Sequence, residues 1–358
     1  AMDRMSKCCS PVLCASRSRI SWLRQHAFIP TLALASCRSG DTRNLRASMS
    51  RQKLWIHTMP DKPSQTLSVA PLEAPFGVRV SNLDLRGNIN ERLIENLADL
   101  LYRHRILVIN NQSLDHAQYY HFGQQWGRLI RHVLDYLRVP GYPEMMAIGN
   151  TQEKDRDAAT RNGAVHWHTD GSYKIEPTTV TMLYARVAPK LGGETLFNDM
   201  VAAYQALQPR QQRLAESRTA KHFFGAAKLA PGEYPVTPIK TDKQAKAVPP
   251  VVKPLVMRHP VTGHKALYGL GQSPFQVNEL PQAEGDTYLG ELKAHATQPQ
   301  FVYRHRYALG DIVLFDCLST MHSGTPIDFA QSTDAANARL LWRLSTEGFP
   351  TLISRRLG

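Results

Sequence analysis

The chain has 358 residues, of which 42% are hydrophobic and 20% are charged, and its formal net charge is +13 at pH 7. These proportions are ordinary for a globular protein, and no apolar run approaches the roughly 18 residues of a membrane-spanning helix. Residues 1–60 contain ten Lys and Arg against two Asp. Because most of the excess charge lies in that segment, the rest of the chain is only mildly basic. We therefore expect neither membrane insertion nor nucleic-acid binding.

The N-terminal extension, residues 1–64, is rich in Arg and Ser and nearly free of acidic residues. This composition is typical of an organelle transit peptide, but it also fits a misplaced start upstream of Met49 or Met59, or a structured extension. Four of the five cysteines lie there and Cys317 lies in the body, so the sequence predicts no disulfide framework. We expect an intracellular protein, cytoplasmic or, if the extension is a transit peptide, mitochondrial.

From residue 65 onward the hydrophobic pattern is regular, and it predicts elements in chain order. Alternating or continuous apolar runs predict strands at 76–85, 106–111, 145–150, 179–188, 192–200, 251–260, 301–309, 311–317 and 339–348. Helical spacing predicts helices at 91–105 after a cap at Asn90, from Ser113 to residue 129, and at 201–217 with an interruption at Pro209. The polar, Pro-rich residues 231–253 predict a long loop or lid.

The number and order of these elements favour one fold class. Many short strands, with the helices concentrated near the start, indicate a mainly β antiparallel sandwich or barrel with flanking helices. A doubly wound parallel sheet would need strands and helices to alternate, and that alternation ends after residue 255. We therefore expect one domain over residues 65–358.

The segment VHWHTDGSY at 165–173 places His166, His168 and Asp170 at every second position. On a strand, residues two apart point to the same face, and their Cα atoms lie roughly 6–7 Å apart. An imidazole and a carboxylate at that separation can both reach one metal ion. On spacing alone, His168 with Asp170 and His166 with His168 are equally good pairs. Either pair needs a third ligand from elsewhere in the chain.

His322 is the best candidate for the third ligand, because it directly follows an apolar strand at the polar end where a sheet presents residues to a pocket. Two histidines and one carboxylate form the facial triad of non-haem Fe(II) oxygenases, which leaves coordination positions open for dioxygen and a co-substrate. Structural zinc prefers a closed tetrahedron instead. The residue types therefore favour oxygen chemistry over a structural metal.

Four ordered motifs together resemble the TauD/TfdA (taurine dioxygenase/2,4-D dioxygenase) family of Fe(II)- and 2-oxoglutarate-dependent oxygenases. WHTD (167–170) is similar to the WH[ST]D core of that family, and GGETLF (192–197) is similar to its GG[DN]T element. GDIVLFDCLSTMH (310–322) is similar to its GD…H segment, and RLLWR (339–343) to its closing strand with two arginines. The motifs are in the right order and cover essentially the whole body of the chain.

The resemblance implies a double-stranded β-helix (jelly roll) fold, and it assigns roles to individual residues. It implies that His168, Asp170 and His322 bind Fe(II) and form the catalytic centre, with 2-oxoglutarate and O₂ as co-substrates. His166 then falls outside the triad, and we expect it either to line the substrate pocket or to orient a metal ligand from outside the triad. Tyr173 is expected to line the substrate pocket.

The resemblance also implies that Arg343 and Thr195 bind the far carboxylate of 2-oxoglutarate. A guanidinium pairs with a carboxylate through two parallel hydrogen bonds, and a hydroxyl adds another donor. Arg339 lies four residues earlier and shares the face of Arg343 on a strand. The stretch between His322 and Arg343 is longer than is usual in the family. Arg339 could therefore take the role given to Arg343, or else assist it or bind substrate.

We expect a dioxygenase that converts 2-oxoglutarate to succinate and CO₂ and oxidises, by hydroxylation, an unactivated C–H of a small anionic or amino-acid-like substrate. Ala164 and Val165 precede the motif where better-studied members carry polar substrate contacts, so the sulfonate and phenoxyacetate substrates of the family are not carried over. The alternative is a jelly-roll metal-binding or small-molecule-binding protein without oxygenase activity that uses the same His/Asp/His site. A homo-oligomer is left open.

Overall fold

The computed structural model describes residues 67–225, 233 and 239–357. The N-terminal extension and residues 231, 232 and 234–238 of the predicted lid lie outside the described residues. The strands are β1 (Ser68–Pro71), β2 (Val78–Ser81), β3 (Ile106–Ile109), β4 (Arg128–Leu129), β5 (Arg138–Val139), β6 (Tyr142–Gly149), β7 (Val180–Val187), β8 (Thr195–Asp199), β9 (Thr219–His222), β10 (Val251–Pro254), β11 (Val256–Arg258), β12 (Lys265–Leu267), β13 (Pro274–Val277), β14 (Val302–His305), β15 (Ile312–Asp316), β16 (Thr320–Gly324) and β17 (Leu340–Glu347). The α-helices are α1 (Glu91–His104), α2 (His116–Gln124), α3 (Ala158–Arg161), α4 (Met200–Gln205), α5 (Pro209–Glu216), α6 (Asp242–Lys246), α7 (Gln282–Ala296) and α8 (Thr351–Leu357). Short 3₁₀ helices lie at Asp135–Leu137, Glu153–Arg156 and Pro299–Phe301.

In the described part of the chain, nine strands form one large sheet. Its order is β1-β2-β3-β15-β7-β17-β6-β5, with β4 paired to β17. Strands β2 and β3 are parallel and are connected through α1, whereas the other pairs in this sheet are antiparallel. Strand β17, which carries Arg343 and begins directly after Arg339, therefore lies between β7 and β6, inside the sheet.

A smaller sheet of order β14-β8-β16 faces the large one. The rings of Phe197 on β8 and Phe315 on β15 lie 5.0 Å apart between the two sheets, in an apolar cluster that also contains Ile106, Val108 and Leu183. The predicted mainly β sandwich with flanking helices is thus confirmed.

Helices cover the outer face of the large sheet, and the composition of β3 shows why. Ile106 and Val108 belong to the cluster between the sheets, whereas Leu107 and Ile109 belong to a second cluster that contains apolar residues of α1 and α2. Because both faces of this strand are covered, the run ILVI has no polar position.

Capping residues define both ends of helix α1. The Asn90 side chain accepts a hydrogen bond from the Leu93 amide at 2.9 Å, as predicted for a cap, and Arg105 closes the helix with a φ of 69°. The predicted start of the second helix at Ser113 is wrong. Asp115 is the cap there, in a reciprocal capping box with Gln118, and the helix ends at Gln124.

Pro209 divides the predicted helix 201–217 into α4 and α5, because it is the first residue of α5 and cannot donate the hydrogen bond that would continue α4. Within the predicted loop 231–253, residues Asp242–Lys246 form the short helix α6, which the sequence did not predict, whereas β10 begins at Val251, where a strand was predicted. Helix α7 lies where no element was predicted. No helix among the described residues has the length and apolar character needed to cross a membrane.

Candidate active site

Two of the predicted metal ligands are held side by side by the backbone. The His168 amide donates to the His322 carbonyl at 2.8 Å, and the His322 amide donates to the His168 carbonyl at 2.9 Å. This bridge adds the segment around His168 to the β16 edge of the smaller sheet. The two imidazole rings lie 4.1 Å apart between their centroids.

Asp170 brings its carboxylate to the same point. Its Oδ1 lies 3.8 Å from Nε2 of His168, and its Oδ2 lies 3.9 Å from Nε2 of His322. One donor atom from each of the three residues lies within 4.8 Å of the other two. The structure therefore brings the predicted triad together from segments that are 150 residues apart in the sequence.

The protonation states of the triad suit a divalent cation. The His168 Nδ1 lies 2.7 Å from the His166 carbonyl, which can only accept, so Nδ1 carries the proton and Nε2 is left as a ligand. Burial lowers the pKa of His168, and burial together with the neighbouring His168 lowers the pKa of His322 to about 3. Burial alone would raise the pKa of Asp170, but the positive charge of Arg343, together with its hydrogen bond to the carboxylate, holds that pKa well below its usual range. Two neutral imidazoles and one carboxylate fit Fe(II).

The triad opens into a cavity of about 150 Å³. Its apolar wall is formed by Leu134, Leu137, Met146, Ile148, Leu183, Leu341 and Phe224. A second cavity of about 700 Å³ lies next to it and has a more charged wall; both are lined by His132, Tyr173 and Arg343. An apolar chamber beside the metal ligands, with a few polar groups, is the usual form of a small-molecule site.

Both predicted arginines line the cavity, Arg343 from β17 and Arg339 from the position directly before that strand. Arg343 lies next to the metal ligands, because its Nη2 is 2.9 Å from Oδ2 of Asp170. The hydroxyl of Thr181 on β7 donates to the same oxygen at 2.9 Å. These two donors fix the orientation of the carboxylate.

Arg339 has different surroundings. Only 5% of it is exposed, and its Nη1 donates to the Gly193 carbonyl at 3.3 Å. Its Nε has no hydrogen-bond partner, and within the described residues its guanidinium forms no ion pair with a carboxylate, although the charge of Asp155 acts on it from a greater distance. Gly193 has a φ of +68°, and a Cβ there would come within 3.2 Å of the Arg339 Cδ, so the second glycine of GGETLF makes room for this side chain.

Thr195 lies at the same end of the cavity as Arg339. Strand β8 pairs with β16 so that Phe197 is opposite His322 and Thr195 is opposite Gly324. Because side chains two residues apart share a face, Thr195 and His322 point to the same side of the smaller sheet. The Thr195 hydroxyl lies 2.8 Å from the hydroxyl of Tyr307.

The two predicted pocket residues differ in outcome. Tyr173 lines both cavities, and the centroid of its ring lies 4.9 Å from that of Phe224. His166 is not among the residues that line either described cavity; it contributes its backbone carbonyl to His168 instead. Sequence reasoning missed His132 and Tyr307, which belong to no motif and whose side chains reach the site only through the packing of distant segments.

Comparison with known proteins agrees with this geometry. A family model described as "Taurine catabolism dioxygenase TauD, TfdA family" matches residues 68–345. The chain belongs to this family. One relative, the alpha-ketoglutarate-dependent 2,4-dichlorophenoxyacetate dioxygenase of Cupriavidus pinatubonensis, is 32% identical over 281 residues, which are 76% of this chain and 96% of the relative. The (S)-phenoxypropionate/alpha-ketoglutarate-dioxygenase of Sphingobium herbicidovorans is 30% identical over 304 residues, which are 80% of this chain and 97% of that enzyme.

A solved structure of AAD-2 in complex with Mn(II) and N-oxalylglycine matches with a TM-score of 0.65 and 28% identity, over 80% of this chain and 99% of that chain. The predicted jelly roll and enzyme class are therefore confirmed. This TauD/TfdA protein is a 2-oxoglutarate-dependent dioxygenase whose cofactor is Fe(II) and whose co-substrates are 2-oxoglutarate and O₂. The alternative of a protein without oxygenase activity is set aside.

Proposed function

We propose that this dioxygenase hydroxylates an unactivated C–H of a small organic anion with an apolar body, with His168, Asp170 and His322 holding the iron. Iron bound there would supply the activation of dioxygen that is coupled to oxidative decarboxylation of 2-oxoglutarate to succinate and CO₂. The observation that carries the proposal is the His/Asp/His cluster, which opens into the same cavity as the buried Arg339 and the half-buried Arg343. The task of the protein is to orient both organic molecules and to exclude water from the cavity.

We propose further that Arg339 and Thr195, rather than Arg343, bind the far carboxylate of 2-oxoglutarate. A buried guanidinium without a carboxylate partner is costly unless an anion joins it, and Arg339 is in that position. Arg343 already has Asp170 as its partner. Two methylene groups separate the far carboxylate from the keto group that would chelate the iron. The residue that binds the far carboxylate should therefore lie farther from the predicted metal ligands than Arg343, which contacts Asp170, and four extended residues, a span of roughly 13 Å, separate Arg339 from Arg343.

Arg343 and Tyr173 are then left for the substrate, with the neighbouring His132. The named substrates of the two relatives, 2,4-dichlorophenoxyacetate and (S)-phenoxypropionate, each combine an aromatic ring with a carboxylate. The apolar wall of the smaller cavity suits such a ring, and Arg343 supplies a positive charge beside it. A small carboxylic acid with an apolar or aromatic body is therefore the substrate class that we propose.

The test is an anaerobic titration of the Fe(II)-loaded protein with 2-oxoglutarate, followed by its visible charge-transfer band. Removing one partner of a buried charge pair costs at least about 2 kcal/mol, so Arg339→Ala should raise the Kd for 2-oxoglutarate roughly 30-fold or more. Arg343→Ala should change that Kd much less, and Asp170→Ala should abolish succinate formation. A larger effect of Arg343→Ala than of Arg339→Ala would restore the sequence-based assignment. A wild-type protein that binds iron but shows no band would refute the co-substrate site.

Substrate class is tested by succinate release in the presence of a panel of acids. Aryloxyacetic and arylpropionic acids should stimulate release, and the corresponding amides, which lack the negative charge, should not. Equal stimulation by acids and amides would contradict the role given to Arg343.

A further inference from the structure

We propose that Tyr307 is a positioning residue for 2-oxoglutarate: its hydroxyl donates to Thr195, so that the single proton of Thr195 is directed to the far carboxylate of the co-substrate. This inference rests on the proposed role of Thr195 and Arg339 and adds a residue that belongs to none of the four motifs.

Tyr307 is built into the structure at this point. It follows β14, only 7% of it is exposed, and its ring packs edge-on against that of His305 at 4.7 Å between centroids. Its hydroxyl reaches across to the first residue of β8, where Oη and the Thr195 Oγ1 are 2.8 Å apart. Within the described residues, Thr195 is the hydrogen-bond partner that the structure gives to this hydroxyl.

The direction of this hydrogen bond decides what Thr195 can do. A hydroxyl has one proton, so a threonine that donates to Tyr307 would present only lone pairs to an incoming carboxylate. If Tyr307 donates instead, Thr195 accepts with a lone pair and keeps its proton for the carboxylate. Chained hydrogen bonds of this kind polarise and strengthen one another. The anion itself therefore selects the order Tyr307 to Thr195 to carboxylate.

Two further observations support this order. Burial raises the pKa of the Tyr307 phenol well above its usual range, so the group keeps its proton and remains a donor. Arg339, whose buried guanidinium lacks a carboxylate, lies close enough to Tyr307 to influence its ionisation. Thr195 and Arg339 thus bring donors to the cavity, and the Tyr307 hydroxyl is hydrogen-bonded to the first of them.

The experiment compares Tyr307→Phe with wild type, both loaded with Fe(II) under anaerobic conditions and titrated with 2-oxoglutarate by calorimetry and by the charge-transfer band. A neutral hydrogen bond of ordinary strength corresponds to an increase of about three- to tenfold in Kd, and we expect a change of that size with unaltered affinity for Fe(II). In a Thr195→Val background, Tyr307→Phe should have no further effect. Thr195→Ser, which keeps the hydroxyl, should restore most of the affinity lost in Thr195→Val.

Tyr303→Phe is the matched control. Tyr303 lies four residues earlier and also loses a hydroxyl hydrogen bond, 2.9 Å long and made to Nδ1 of His305, but it does not contact Thr195. Its Kd for 2-oxoglutarate should stay at the wild-type value. The analogue 2-oxopentanoate, which has a methyl group in place of the far carboxylate, should bind wild type and Tyr307→Phe equally.

The outcomes separate this inference from the proposed function. If Thr195→Val and Arg339→Ala weaken binding but Tyr307→Phe does not, or if its effect adds fully to that of Thr195→Val, the role of Tyr307 is overturned and the co-substrate site stands. If Thr195→Val and Arg339→Ala bind 2-oxoglutarate like wild type, both proposals are overturned. If Tyr307→Phe raises the Kd for 2-oxoglutarate and for 2-oxopentanoate by the same factor, Tyr307 has only a general structural role. That result would also overturn the inference.

Discussion

Asp170 illustrates how single residues prepare this site. Thr181 and Arg343 both donate to Oδ2, whereas Oδ1 faces His168 and has no donor among the described residues. Two fixed donors on one oxygen prevent rotation of the carboxylate and keep the other oxygen accessible. Thr181 was not recognisable as a site residue in the sequence, because its strand carries no motif and threonine is common in strands.

Gly271 is the position where a small change should do the most harm to the metal ligands. A Cβ at this residue would overlap the Trp167 carbonyl and the Cα of His168. Because backbone atoms cannot rotate away, Gly271→Ala must displace the segment that carries His168. We expect a loss of about 2 kcal/mol or more in the free energy of unfolding, together with weaker binding of Mn(II) or Fe(II).

Gly290 provides the control for that substitution. It lies inside α7 with nothing within 4 Å of the position of a Cβ, so Gly290→Ala should leave metal binding unchanged and stabilise the helix by up to about 1 kcal/mol. Urea unfolding and a metal titration measure both quantities. Wild-type metal affinity in Gly271→Ala would contradict the close packing described for His168.

Elements were predictable from the sequence where the core alone determines the pattern. Strands β3, β7, β15 and β17 are buried on both faces or nearly so, and their apolar runs were identified. Helix α7 was missed because Gly285 and Gly290 interrupt it and its apolar residues form no strong stripe; tertiary packing of Leu289, Leu292 and Ala296 holds it. The two-residue strands β4 and β5 have no sequence signal at all.

The connection between β16 and β17, which delivers Arg339 to the cavity, is anchored by one buried side chain. Asn150 accepts from the Arg339 amide at 2.8 Å and donates to the carbonyls of Asp328 and Asn337 at 2.8 and 2.7 Å. Asn150→Ala would leave three backbone groups without this partner. We expect a loss of roughly 2–4 kcal/mol in the free energy of unfolding and a raised Kd for 2-oxoglutarate.

Asn337→Ala is the comparison for that prediction. The Asn337 side chain lies on the same connection and makes one exposed bond, 3.1 Å long, to the Asp328 carbonyl. Its removal should cost less than about 0.5 kcal/mol. Equal losses in the two variants, measured by chemical unfolding, would show that Asn150 does not anchor the connection.

At the scale of the whole molecule, the sequence was most informative about chemistry and least informative about geometry. WHTD contains two of the three proposed ligands, and His322 could be proposed as the third because it follows a strand of the core. The spacing of Arg339 and Arg343 could not test the assignment of the far carboxylate to Arg343, because both residues line the same cavity and only the packing of other segments shows which of them has Asp170 as a neighbour.

Stability of the molecule should fall in mild acid through His222. This residue is fully buried on β9, neither ring nitrogen has a partner among the described residues, and burial together with the charge of Lys253 lowers its pKa to about 4. The unfolded chain takes up a proton near the ordinary histidine pKa of about 6.5, whereas the native state excludes it until about pH 4, so stability is lost as the pH falls between these values. Because of this residue, the free energy of unfolding should be about 2 kcal/mol lower at pH 5 than at pH 7.

Urea unfolding of wild type and His222→Phe at both pH values measures this contribution. The decrease in the free energy of unfolding from pH 7 to pH 5 should be about 2 kcal/mol smaller in His222→Phe than in wild type, because the phenyl ring cannot be protonated. If His222→Phe loses as much stability between pH 7 and pH 5 as wild type does, His222 is not a source of the pH dependence.

The reciprocal backbone hydrogen bonds between His168 and His322 have a practical consequence. Since the polypeptide and not the cation aligns these imidazoles, departure of the ion should require no refolding, and little ordering entropy is lost when it returns. A preparation inactivated by chelation or by oxidation of its iron should therefore regain full turnover after simple addition of fresh ferrous salt and ascorbate.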